Sequence, residues 1–120
     1  MGCAARVLVV DDDEAIRDFL SYMLTEEGFE VVVAAHGAEA LDRIEQSLPQ
    51  VILLDMRMPV MDGWQFASAY RQRPGPHVPI ICMTAAHDAV QRAAQIGAQG
   101  VLPKPFDVDT LLTMLAGYVR

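Results

Sequence analysis

Polar side chains that could act together on one ligand follow four separate apolar runs of this sequence. They comprise carboxylates, a hydroxyl and an amine: Asp11, Asp12, Asp13, Asp55, Thr84 and Lys104. Clustered carboxylates repel one another unless a cation compensates them, and an all-oxygen cluster selects a hard ion such as magnesium. If the chain gathers these groups, the ion, the amine and the hydroxyl could together bind a transferring phosphoryl group. The attacking carboxylate would be Asp55, which all three would flank.

These positions come together only if the apolar runs form one sheet. The runs have strand length and alternate with segments of helical spacing, and they lie at residues 7–10, 31–33, 51–54, 78–83 and 100–102. Continuous apolar runs are typical of strands buried on both faces, and strict alternation with helices implies parallel strands joined by right-handed crossovers. We therefore predict an α/β fold, a five-stranded parallel sheet of order 2-1-3-4-5 with helices on both faces. In that order the first and third strands are neighbours, so the acidic run lies against Asp55 at the switch point.

Composition limits the classes of function. The 120 residues suffice for one compact domain, and a hydrophobic content of 52% predicts a packed core. Nine basic against 16 acidic residues give a net charge of −7, which disfavours direct binding to nucleic acid. No apolar stretch is long enough for a membrane helix or a secretory signal, and Cys3 and Cys82 do not suggest a disulfide framework. We expect a cytoplasmic protein in which residues 1–120 form a single domain.

Each polar feature also has an ordinary structural interpretation. Three aspartates before a helix often supply an N-cap and first-turn acids, and an aspartate after a strand is commonly a turn residue. What favours a functional site is the coincidence of such residues at four predicted strand ends. The three histidines, His36, His77 and His87, lack metal-ligand spacing, and we interpret them as solvated residues in loops or at helix starts.

Four stretches of the sequence resemble the receiver domain of two-component response regulators (CheY-like, with a flavodoxin-like fold). They read VLVVDDDE at 7–14, LLDMRMPVMDG at 53–63, MTA at 83–85 and KPF at 104–106. Their order and spacing also fit that family, over essentially the whole chain. The resemblance implies a signalling switch that catalyses only its own aspartyl phosphorylation and dephosphorylation.

The resemblance also implies a role for each acidic residue. Asp55 would accept a phosphoryl group from the phosphohistidine of a histidine kinase. Asp11 and Asp12 would position Mg²⁺ (Mn²⁺ being an alternative), with Asp12 the direct ligand and Asp11 acting through water. The backbone carbonyl of Arg57 would complete the protein ligands, and Asp13 would cap the first helix.

On the two outer strands, the resemblance assigns Thr84 and Lys104 to contacts with the phosphoryl group. It also predicts a cis peptide before Pro105, where the chain must turn sharply while aiming the lysine back at the acceptor. The family usually carries an aromatic residue where this chain has Val101. Since valine has no ring to relocate, we expect output to pass through Thr84, the following loop and the short helix beyond it.

The implied partners are a sensor histidine kinase or phosphotransfer protein and a downstream target or effector domain. The domain would be a monomer or a phosphorylation-dependent dimer. A small phosphatase of the haloacid-dehalogenase type is the alternative, because it also combines aspartates, a threonine and a lysine, but its nucleophile would be Asp11 on the first strand. A nucleotide-binding module is set aside because no glycine-rich phosphate loop follows any strand.

Overall fold

Five strands and five helices alternate along the chain. The computed structural model describes residues 5–56, 58, 60–85 and 89–118. The strands are β1 (Arg6–Val10), β2 (Glu30–Ala34), β3 (Val51–Asp55), β4 (Ile80–Ala85) and β5 (Gly100–Lys104). The helices are α1 (Glu14–Glu26), α2 (Gly37–Gln46), α3 (Gly63–Gln72), α4 (Ala89–Ile96) and α5 (Val108–Ala116).

The strands form one parallel sheet of order β2-β1-β3-β4-β5, which confirms the predicted fold. Side chains alternate between its two faces, so each face has its own hydrophobic core. On one face, Val7 and Val9 pack with leucines of α1 and α5; on the other, Leu8 and Val10 pack with apolar residues of α2, α3 and α4. Among the residues that the structure describes, no helix is long and apolar enough to cross a lipid bilayer.

The start of β4 differs from the prediction. The strand begins at Ile80 rather than Val78 and runs on to Ala85. The amide of Val78 donates to the Tyr70 hydroxyl at 2.8 Å, and Pro79 has no amide hydrogen to donate to a neighbouring strand. Because β4 ends later than predicted, Thr84 lies within the strand, opposite Pro103 of β5.

Side chains cap the amino ends of α1, α2 and α3. Asp13 accepts from the amide of Ala15 at the start of α1, as predicted. Asp62 and Gln65 form a reciprocal capping box at the start of α3. His36 caps α2, because its Nδ1 accepts from the amide of Glu39 at 3.2 Å. His36 thus lies at a helix start, as predicted, but it is half-buried and acts as a cap rather than as a solvated side chain.

The outer side of β2 is an edge of the sheet, and two side chains of α2 contact its backbone. The amide of Ala35, just after the strand, donates to Glu39 Oε1 at 2.6 Å. Arg43 donates through Nε to the carbonyl of Val33 at 3.2 Å and pairs with Glu39 at 3.1 Å. The ion pair thus joins α2 to the edge strand.

Candidate functional site

Buried polar side chains collect at the carboxyl end of the sheet. Asp11 follows β1, Asp55 ends β3 and Thr84 lies near the end of β4, with exposed fractions of 1%, 7% and 5%. They are the buried polar or charged residues of the described part of the chain. Because burying polar groups costs free energy unless they find partners, their concentration at one place marks a site rather than a packing accident.

Lys104, the last residue of β5, brings a positive charge to the buried carboxylates. Its Nζ donates to Asp11 Oδ2 at 3.1 Å and to Asp55 Oδ1 at 3.4 Å. Partial burial alone would lower the pKa of Lys104, but the charges of Asp55 and Asp11 and the hydrogen bonds to both outweigh burial and raise it. The ammonium is therefore held in its charged form between the two carboxylates.

Three carboxylates at this end of the sheet lie close enough to share one cation. Asp11, Asp12 and Asp55 can each offer an oxygen such that all three oxygens lie within 4.8 Å of one another. The donor set is entirely oxygen, which fits a hard divalent ion that keeps part of its water shell. The structure therefore brings together the acidic residues that the sequence analysis singled out. The other predicted ligand, the carbonyl of Arg57, lies outside the described residues.

The turn after β1 is held at several points. The amide of Asp11 donates to the carbonyl of Ala34 at 3.1 Å. The Oδ1 atom of Asp11 accepts from the amide of Asp13 at 2.9 Å. Arg17 of α1 donates through Nη1 to the carbonyl of Asp11 at 2.8 Å. Arg17 was not predicted from the sequence as part of the site. The available signal was a basic residue in the first turns of a helix, where the helix dipole favours acids.

A hydrogen bond and two buried methionines tie the residues after β3 to the strand that ends in Asp55. Met56 and Met58 are buried, and the amide of Gly63 donates to the carbonyl of Met56 at 3.1 Å. Val60 is 78% exposed and has a φ of +67°. That conformation is unusual for a β-branched residue and is the one positive φ recorded outside glycine in the described chain.

Known proteins are similar to this chain in both sequence and structure. The model of the response regulator receiver domain family matches residues 7–116. The chain belongs to that family. Response regulator MprA of a Mycobacterium species (strain KMS) is 38% identical over 117 residues, which cover 96% of this chain and 50% of that protein. MprA of Mycobacterium bovis (strain BCG / Pasteur 1173P2) is also 38% identical, over 98% of this chain and 51% of that protein.

Solved structures agree with this assignment of the receiver domain. The chemotaxis response regulator CheY4 of Vibrio cholerae has a TM-score of 0.86 at 37% identity, covering 96% of this chain and 98% of that one. A response regulator from Chloroflexus aurantiacus has a TM-score of 0.87 at 33% identity, with 96% and 97% covered. NtrX of Brucella abortus matches with 30% identity and a TM-score of 0.84 over 96% of this chain but only 26% of its own. This receiver domain spans about half the length of the curated relatives it matches.

Two features of β5 concern residues that were singled out from the sequence. The peptide between Lys104 and Pro105 is cis, which confirms the prediction. Val101 is half-buried and packs against the core shared by α2, α3 and α4. Ala86, His87 and Asp88, through which we expect the signal to leave, lie outside the described residues.

An apolar surface adjoins Lys104. Ile16 and Phe19 of α1 and Phe106 after β5 line a shallow depression together with Lys104 and Pro105. Phe19 is 50% exposed. The depression lies next to the charged pocket, so a protein that covers it would also reach the acidic cluster.

Proposed function

We propose that Asp55 accepts a phosphoryl group from a phosphohistidine and that the domain acts as a phosphorylation-activated switch. The observation that carries the proposal is the position of its carboxylate, 3.4 Å from the Lys104 ammonium and clustered with Asp11 and Asp12. Membership of the receiver family supports this function. In the transfer, an Asp55 oxygen forms a bond to phosphorus while the bond from phosphorus to the imidazole nitrogen breaks.

Mg²⁺ is the cation that the donor set fits best, and Mn²⁺ could replace it. Both carboxylate oxygens of Asp11 already accept hydrogen bonds, from the Asp13 amide and from Lys104. This favours an indirect role for Asp11, through water, and direct ligation by Asp12, which is exposed, and by Asp55. The carbonyl of Arg57 is the remaining proposed ligand. When bound, the ion supplies neutralising charge to phosphoryl oxygens.

The chain's own side chains would bind the other phosphoryl oxygens. Lys104 remains protonated at neutral pH and supplies a charged donor from β5. Thr84 supplies a hydroxyl from β4, beside the strand that carries Asp55. Their strands, β4 and β5, lie on the other side of β3 from β1, and the Lys104 ammonium reaches across to both Asp55 and Asp11.

The phosphatase alternative loses its support. Its nucleophile would be Asp11, whose side chain is 1% exposed and whose two oxygens are already hydrogen-bonded. The comparisons identify a receiver domain and give no support to a phosphatase. Asp55 is therefore the carboxylate that we propose as nucleophile.

The phosphodonor would be a sensor histidine kinase or a phosphotransfer protein. We propose that it docks on the apolar surface formed by Ile16, Phe19 and Phe106, because that surface adjoins Lys104. The phosphorylated domain would then act in the cytoplasm on a downstream target or effector domain, as a monomer or a phosphorylation-dependent dimer. Residues 1–120 would serve as one receiver unit in this relay.

Labelling with a small phosphodonor tests the acceptor directly. With acetyl phosphate and Mg²⁺, mass spectrometry should find one phosphoryl group on Asp55. Asp55→Asn should abolish it, whereas Asp42→Asn, which changes an exposed aspartate of α2, should not. Excess chelator should suppress labelling, because incoming phosphate and several carboxylates cannot share the pocket uncompensated. Label on Asp11, or full labelling in chelator, would contradict the proposal.

A further inference from the structure

Arg17 occupies a position that its helix does not favour. It lies in the second turn of α1, where its amide donates to the carbonyl of the cap residue Asp13 at 3.0 Å. The amino end of a helix carries partial positive charge and repels a cation. None of the ion pairs found between described residues involves Arg17. Neither the helix nor a carboxylate partner therefore explains the placement of its guanidinium.

Arg17 contacts a backbone oxygen of the turn that carries two of the clustered carboxylates. Its Nη1 donates to the carbonyl of Asp11 at 2.8 Å. β1 ends at Val10, so this carbonyl lies just beyond the strand. Arg17 thus supplies a charge-assisted donor there, and such hydrogen bonds are the strong ones.

We infer that Arg17 is a positioning residue that fixes the turn carrying Asp11 and Asp12 for the divalent cation. The peptide group is planar, so holding the carbonyl of Asp11 also fixes the amide and the Cα of Asp12, the atom from which the Asp12 side chain leaves the backbone. The Asp11 side chain is already fixed by the Asp13 amide and Lys104. Arg17 therefore positions the backbone that carries the remaining, exposed ligand, Asp12. This inference rests on the proposed function, since it assumes that the cluster binds Mg²⁺.

A second effect of Arg17 acts in the opposite direction. Its positive charge close to the cluster repels a cation, so removing it should tighten Mg²⁺ binding on electrostatic grounds alone. Loss of the orienting hydrogen bond should weaken binding, since removal of such an outer partner typically costs about 10- to 100-fold in metal affinity. The sign of the change in the Mg²⁺ dissociation constant therefore separates the two roles.

The test compares three variants by isothermal titration calorimetry with MgCl₂. Arg17→Met keeps the length but removes donors and charge, and it should raise the dissociation constant about tenfold. Arg17→Lys keeps the charge and one donor group, and it should show a smaller increase. The matched control is Arg43→Met, because Arg43 also donates to a backbone carbonyl, that of Val33, and its loss changes the net charge equally. The Mg²⁺ dissociation constant of Arg43→Met should equal that of the wild type.

Two further measurements separate positioning from loss of fold or chemistry. The urea midpoint without Mg²⁺ reports folding; if Arg17→Met does not fold, Arg17→Lys alone decides the test. At saturating Mg²⁺, labelling of Asp55 by acetyl phosphate should recover to the wild-type rate, because orientation affects affinity rather than the transfer itself. If Arg17→Met folds and binds Mg²⁺ as tightly as the wild type or more tightly, the inference is overturned while the proposed function stands. If Arg17→Met does not fold, the same result for Arg17→Lys has the same meaning. Absence of Mg²⁺ binding by the wild type would overturn both.

Discussion

Substituting Gly63 by alanine should strain the backbone at the end of β3, where Asp55 lies. Gly63 begins α3 and donates its amide to the carbonyl of Met56 at 3.1 Å. A Cβ at this position would lie 2.6 Å from Met56 Sδ, 2.8 Å from Met56 Cα and 3.1 Å from the Asp55 carbonyl. Met56 is fully buried. The added methyl therefore meets backbone that has no free space into which to retreat.

The expected cost is the difference between two effects. Overpacking a buried site costs about 1–3 kcal/mol. Alanine regains up to about 1 kcal/mol of helix propensity relative to glycine. The free energy of unfolding should therefore fall by about 1–2 kcal/mol, which lowers the melting temperature by several degrees in a domain of this size.

A second glycine provides the matched control. Gly37 begins α2, and its added Cβ would lie 2.7 Å from Met61 Cγ and 2.9 Å from Met61 Sδ, which belong to a flexible side chain. Its nearest backbone contact is the Met61 carbonyl at 3.0 Å. Gly37→Ala should therefore cost less than Gly63→Ala.

Urea unfolding of the two variants provides the measurement. The m-value should remain that of the wild type, so that the midpoints report stability alone. If Gly63→Ala were as stable as the wild type, or no less stable than Gly37→Ala, the steric argument would be refuted. Asp55 labelling should also slow in Gly63→Ala, because the clash reaches the backbone of the acceptor.

Three further predictions follow from the site and its loops. Val60→Gly should raise the urea midpoint of unfolding. Removing the left-handed strain of about 1–2 kcal/mol outweighs the roughly 0.5–1 kcal/mol entropic cost of glycine at an exposed position. An unchanged or lower midpoint would contradict this prediction. The raised pKa of Lys104 contributes stability that is fully present below the unfolded-state pKa of about 10.4 and is lost as the pH rises through the folded-state value. Lys104→Met should therefore reduce the loss of melting temperature at alkaline pH, and an identical pH profile would show that the ion pairs do not matter. Beryllofluoride with Mg²⁺ should shift amide resonances of α4 in the wild type and in Val101→Ala but not in Thr84→Ala; equal suppression by both variants would exclude the route through Thr84.

Much of the fold could be predicted because it depends on short-range pattern. Continuous apolar runs in a chain of alternating helices and strands determine a parallel sheet, and a parallel sheet gathers its carboxyl ends. Asp11, Asp55 and Lys104 therefore came together as predicted, although 93 residues separate Asp11 from Lys104. Proline effects were also local enough to anticipate, as the cis peptide at Pro105 shows.

What could not be predicted depends on the reach of single side chains. The contact from Arg17 to the carbonyl of Asp11 requires the turn between β1 and α1 to be known in three dimensions. The cap formed by His36 uses a residue type that ranks low among helix caps. The positive φ of Val60 contradicts the local preference of valine, so no propensity argument would place it there.

The contacts between α2 and β2 have a consequence for the behaviour of many molecules together. A sheet edge with unpaired amides and carbonyls is a template on which another chain can add a strand, and Val31, Val32 and Val33 make this edge strongly β-prone. Arg43 occupies the carbonyl of Val33, and Glu39 occupies the amide of Ala35. An exposed ion pair of this kind contributes little to the stability of one molecule. Its larger effect is to deny the edge to a second molecule, so losing it should shorten the time to aggregation at high concentration far more than it lowers the melting temperature.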